Sequence, residues 1–220
     1  EEARKKNFDP VAKVEIPLAK SLAEKVVGLI SALYPQIEDA GIVARILQLE
    51  KDYGKLDTMV AFKIAEDVAK QKFCNFSSLL EAIEAGARIG FAYMTLGVVS
   101  SPVEGFTKIE IRKRKDGKDY FSAFFSGPIR RAGTTASCMA LILIDYLREM
   151  FGYDIYDPSP EEIKRYVTEN HDYHERVTNL QYMPTDEEIS FLAERLPIQI
   201  EGEPTERLEV SNYKNLERVK

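Results

Sequence analysis

The chain has 220 residues, 45% of them apolar and 30% charged, with a formal net charge of −6 and a pI near 5.2. Such a composition belongs to a globular protein, not a disordered one, and can bury one sizeable core or two small ones. An acidic surface repels nucleic acid overall, so any contact with phosphates has to come from a local basic patch.

Glu1 to Asn7 is charged and lacks an apolar period, and Val11 to Ile16 is short and extended. Pro17 suits the first turn of a helix, where its missing N–H costs nothing. Four helices are then predicted. Leu18 to Leu33 repeats apolar residues at helical spacing and stops at Pro35; Glu38 to Asp52 does the same and ends at Gly54. Asp57 caps a third, with Val60, Ile64 and Val68 on one face. Ser78 and Glu81 form a capping box for a fourth, which runs through Leu79, Ile83, Phe91 and Met94 to a stop near Gly97.

The pattern changes at Phe106 to Arg114, which alternates: Ile109 and Ile111 fall on one face, Lys108, Glu110, Arg112 and Arg114 on the other. That is a half-exposed strand. Asp116-Gly117 turns the chain, and Tyr120 to Phe125 returns as its partner. The hairpin feeds into Gly127-Pro-Ile-Arg-Arg-Ala-Gly133, then into a helix whose run Met139 to Ile144 is apolar on nearly every side. A helix of that kind is expected to be buried on more than one face. Gly152 is its C-cap, and Asp145, Arg148 and Glu149 share an exposed strip. Two further helix starts echo one another, Tyr156 to Ile163 and Tyr182 to Ile189, each with Ser or Thr three residues before Glu. Pro197 ends the second. Ile198 to Ile200 and Leu208 to Val210 are read as a second short hairpin. The fold class is therefore α+β, mainly α-helical, with a helical N-terminal subdomain at 1–100 and a hairpin plus helical subdomain at 101–220, or one continuous domain.

Chemistry is concentrated in two places. The hairpin tip, Arg112, Lys113, Arg114, Lys115 and Lys118, is the most basic window in the chain. Such a run either protects a strand edge or touches nucleic-acid backbone. Arg130 and Arg131 stand in the turn before a helix start, where unpaired N–H groups favour anions. They bind phosphate or pair with acids elsewhere; both readings stand. The two basic ends lie roughly 25 Å apart along the strand. A nucleotide-binding P-loop is excluded because its lysine is replaced by Thr134, and Thr134 or Thr135 is more simply an N-cap.

Cys74 and Cys138 each fall inside an expected helix and are read as buried thiols. His171 and His174 lie three apart on a helix, but two imidazoles are too few for a metal, and a surface role is expected. No carboxylate pair suggests metal-ion catalysis, so no catalytic residue and no cofactor are assigned to this segment. Without a signal peptide or a bilayer-length apolar run, a soluble cytoplasmic, intracellular protein is expected. The absence of an initial Met and of a clear stop suggests a piece of a longer chain, and the charged bias leans towards a thermophile.

GPIRRAGTTAS at 127–137, PSPEEIKRYV at 158–167, LQYMPTDEEI at 180–189 and IEGEPTERLEV at 200–210 together resemble the N-terminal region of the large subunit of the archaeal D-family DNA polymerase. VEIPLAKSLAEKVVGLI near the start and GVVSSPVEGFTKIEI in the middle extend the likeness through nearly the whole segment, in order. The chain departs from the family pattern at Thr134, where a second glycine is expected, so a role needing bare backbone there does not carry over. The resemblance implies a replicative, nucleoid-associated, DNA-directed DNA polymerase that uses Mg2+ and pairs with a small subunit bearing a proofreading 3′ to 5′ exonuclease. Its catalytic aspartates lie far downstream, and none maps here. For this segment it implies an accessory role with DNA, the small subunit and the rest of the large subunit as partners, and self-association of the large subunit also allowed. Two roles are open: sequence-independent DNA binding, or a folding and assembly module without DNA contact.

Overall fold

The computed structural model describes residues 2–6, 19–97, 101–126, 134–176 and 179–202. The expected extended stretch at 11–16, Pro17, the turn at 127–133 and the strand at 208–210 lie outside those residues. The architecture is mainly helical α+β, as the patterning predicts. A short α1 (Glu2–Lys5) precedes α2 (Leu22–Ser31), α3 (Ile42–Tyr53), α4 (Thr58–Ala69) and α5 (Leu79–Met94).

Capping chemistry moves the helix starts later than apolar spacing alone suggests. Ser21 accepts a hydrogen bond from Glu24 N–H and opens α2 at Leu22; Gly41, at φ +92°, precedes α3. Pro35 does not itself stop α2, which ends at Ser31, but starts a 3-10 turn at Pro35–Ile37. Asp57 caps α4 through Met59 N–H at 2.8 Å. Ser78 accepts from Glu81 N–H, whereas the Glu81 carboxylate turns to Ser77 N–H at 2.7 Å, so the expected box closes one residue early.

After a π-helical turn at Ser101–Gly105, β1 (Phe106–Lys113) and β2 (Asp119–Phe125) form the expected antiparallel hairpin around Gly117, at φ +83°. α6 (Thr134–Met150), α7 (Pro160–Arg176) and α8 (Asp186–Ala193) come next, and β3 (Gln199–Gly202) then joins the same sheet in the order β1-β2-β3. β3 runs parallel to β2; the second strand of the expected second hairpin lies outside the described residues. A parallel partner requires a crossover connection, which the three helices supply. Helix α5 closes the free edge of β1: Glu84 accepts from Ile109 N–H at 2.6 Å, and Arg88, one turn on, donates to the carbonyls of Phe106 and Thr107.

The two sheet faces differ. Ile109, Phe121 and Ala123 belong to a core shared with Val26, Ile46, Ile64, Leu143 and Leu147, so apolar packing is continuous across position 100. The opposite face lies under α7, through Arg165 to Glu201 at 3.1 Å and Tyr166 to the main chain of Ile200.

Several expectations are corrected. In α6, Ala140, Leu143, Ile144 and Leu147 are buried and Leu141 and Tyr146 pack on the same core, so the helix meets α4, α5 and β2; only one strip, with Ile142 57% exposed and Cys138 exposed, is left open. Arg148 is buried rather than part of an exposed strip, because it spans from Asp145 (2.7 Å) to the Tyr153 carbonyl (2.6 Å). Gly152 does end α6: Gly152 N–H donates to the Glu149 carbonyl and Tyr153 N–H to the Arg148 carbonyl, the paired bonds of a Schellman motif. Cys74 sits half-buried in the connection after α4, not in a helix. Ile111 is 41% exposed because it lies where the hairpin outruns the core. Both later capping boxes form, Ser159 with Glu162 and Thr185 with Glu188. Among the described residues no helix is long and apolar enough to cross a membrane.

Candidate nucleic-acid interface

The hairpin tip holds its five cations in two different ways. Arg112 and Arg114 are fastened. The Arg112 guanidinium reaches Glu110 at 3.1 Å, Glu201 at 3.5 Å and the Gln199 amide at 3.1 Å, and stands over the Phe124 ring at 5.4 Å. Arg114 donates to the Ile155 carbonyl at 2.6 Å and pairs with Asp116 and Asp154. Main-chain bonds add to this: Asp154 N–H donates to the Asp119 carbonyl, and Lys115 N–H to the Asp157 carboxylate. The tip is thus tied to the stretch around 153–157 rather than standing as a free prong.

The lysines are different. Lys113 and Lys118 keep 68% and 60% of their side chains exposed while touching Asp119 and Asp154, and Lys115 is exposed. Exposed ion pairs of this kind contribute little and exchange readily, so these ammonium groups stay available to an external anion. Alternation sets Lys113 on the face opposite Arg112, while Arg114, Lys115 and Lys118 lie in the turn beyond β1, where Arg114 reaches the 153–157 stretch.

Sequence reading missed three participants. Lys108 lies on the same sheet face, 4.6 Å above the Phe124 ring and 2.6 Å from Glu110. Burial disfavours the Glu110 carboxylate, but hydrogen bonds from Lys108 and Arg112 prevail and hold it below its usual range. Asp154 and Glu201 also answer tip cations; their arrival from 42 and 89 residues beyond Arg112 left no local signal. Only the alternation of Lys108, Glu110 and Arg112 could have placed Lys108 with the tip.

Arg130 and Arg131 lie outside the described residues. α6 is described from Thr134, so both threonines fall within the helix. His171 pairs with Asp186 at 2.7 Å and so ties α7 to α8, while His174 accepts from Leu180 N–H at 3.0 Å and ties α7 to the connection between them. Among the described residues no three His, Cys, Asp or Glu side chains gather as a metal site.

Comparison with known proteins sets this geometry in a family. The family profile described as "DNA polymerase II large subunit DP2, N-terminal" matches residues 1–220. The chain is 45% identical over 219 residues to the DNA polymerase II large subunit of Nanoarchaeum equitans, covering 100% of this chain and 18% of that protein. It is 42% identical to the protein of that name from Methanosarcina barkeri, over 99% of this chain and 18% of the relative. For the Archaeoglobus fulgidus protein the identity is 41%, again over 100% and 18%. The chain therefore spans less than a fifth of the length of these relatives.

Proposed function

Because this chain belongs to the family of DNA polymerase II large subunit N-terminal regions, we propose that it is the N-terminal accessory domain of a replicative DNA polymerase and holds DNA without reading its sequence. The match along the whole chain carries the assignment to the polymerase. The three exposed lysines carry the DNA contact. Lys113, Lys115 and Lys118 present exchangeable charge on a tip whose arginines are already fixed, an arrangement that suits phosphate oxygens and no particular base. Arg130 and Arg131, which follow the hairpin in the sequence, are proposed to add to the same contact.

Chemistry belongs to the rest of the enzyme. Polymerisation with Mg2+ falls to carboxylates supplied by the remainder of the large subunit; among the described residues of this chain no acidic set gathers that could hold a metal ion. Proofreading falls to a small exonuclease subunit bound to the large subunit.

The test is binding of this chain to primed and single-stranded DNA over a salt series. With three phosphates engaged, raising salt from about 50 to about 200 mM weakens binding roughly twenty- to fortyfold, and replacing the three lysines by alanine flattens the slope. A second reading, an assembly module without DNA contact, is favoured by one observation: Asp116, Asp119 and Asp154 already pair with the tip cations. Absence of binding at low salt selects that reading.

A further inference from the structure

Helix α8 carries an apolar surface that the described residues leave uncovered. Its inward side chains are Ile189 and Ala193, four residues apart, both buried. Phe191 and Leu192 therefore point outward, 55% and 62% exposed, and Tyr182, 67% exposed, stands beside them. With Pro184 they floor an open groove of about 450 Å³. Contiguous exposed apolar surface with a polar rim marks an interaction site.

The rim is acidic. Asp186, Glu187 and Glu188 fill the first turn of α8, with Glu187 and Glu188 lining the groove. Glu188 accepts from the Tyr182 hydroxyl at 2.8 Å and so fixes the ring at the groove edge. Arg195 is already engaged, 3.7 Å from the Phe191 ring centre and paired with Glu194. Two copies of the chain meeting through this face would bring Glu187 and Glu188 against themselves, which the net charge of −6 makes worse.

We propose that this groove receives an amphipathic helix with apolar residues at i, i+3 or i+4 and lysine or arginine beside them, supplied by the remainder of the large subunit. The relatives devote more than four-fifths of their length to sequence beyond the matched part, so such a segment has ample source. An eight-residue helix is about 12 Å long and matches two turns of the incoming one. The inference rests on this chain being part of a longer subunit but not on its touching DNA.

The test places a photo-crosslinking phenylalanine derivative at position 182 in the purified full-length large subunit, without DNA, and sequences the captured peptide. The expected capture is an apolar, basic segment outside residues 1–220 of the same polypeptide. Leu192→Asp lowers its yield at least fivefold, and Glu187→Lys lowers it with the circular dichroism of the subunit unchanged. Capture of residues 203–220, capture of a second copy in an isotope-mixed sample, or no capture overturns the proposal. A failure of DNA binding leaves the crosslink untouched, which keeps the two outcomes separate.

Discussion

Arg88 sits on α5 with only 4% of its surface exposed, and its guanidinium donates to the main-chain carbonyls of Pro102, Val103, Phe106 and Thr107 while stacking on the Phe106 ring at 4.7 Å. A single side chain thus fastens the turn that delivers the hairpin to the helical core. Replacing it by methionine leaves those carbonyls without partners, at about 1–3 kcal/mol for each that water does not reach. Arg88→Met is expected to cost about 3 kcal/mol or more in urea unfolding, and Arg88→Lys to recover only part, because an ammonium cannot span the same fork. Glu66 offers a test through pH. Burial works against its carboxylate, but hydrogen bonds from Lys70, Tyr146 and Lys63 outweigh this and hold it down at about 2, below the ordinary value of 4.5. A depressed folded-state value contributes stability above the unfolded value and loses it as pH falls through the folded one. Stability should therefore decline between pH 4.5 and 2, and Glu66→Gln should decline less over that window, as followed by unfolding midpoints against pH. Arg88 was visible in the sequence only as one charge within an apolar run; its partners lie 14 to 19 residues away, and no spacing announces them.

At the scale of elements, α4 and α5 are held together by glycine. A Cβ at Gly86 would stand 2.5 Å from the Ala65 carbonyl, and one at Gly90 would stand 2.9 Å from the Ala61 carbonyl and 2.5 Å from Leu143. Gly86→Ala and Gly90→Ala are each expected to destabilise by roughly 1–3 kcal/mol, against the usual gain of alanine in a helix, which denaturant midpoints would register. Capped helices and the hairpin were legible because Ser, Asp and Asp-Gly act on their own neighbours. The open strip of α6 around Ile142 was not, since apolar content alone does not distinguish a face covered within this chain from one left open. Cys74 was misplaced for a related reason: α4 ends at Ala69, and its continuation looked helical only by composition.

Across the whole molecule, the sheet depends on contacts distant in sequence. β3 pairs with β2 after a crossover of three helices, and Glu201 then meets both Arg112 and Arg165. An alternating basic strand can be read as a phosphate-binding edge or as half of an internal ion-pair set; Arg112 and Arg114 are ion-paired within the fold, and the lysine side chains stay largely exposed. The other part of the proposed interface, Arg130 and Arg131, was legible as a motif and lies outside the described residues. The most direct measurement of the proposed function is steady-state primer extension by the purified full-length protein, comparing wild type with Lys113, Lys115 and Lys118 all replaced by alanine. The expected result is a KM for primed DNA raised on the order of tenfold at physiological salt, a shallower salt dependence and an unchanged kcat. An unchanged KM and salt dependence would contradict DNA holding by this tip, and a collapse of kcat alone would contradict an accessory role.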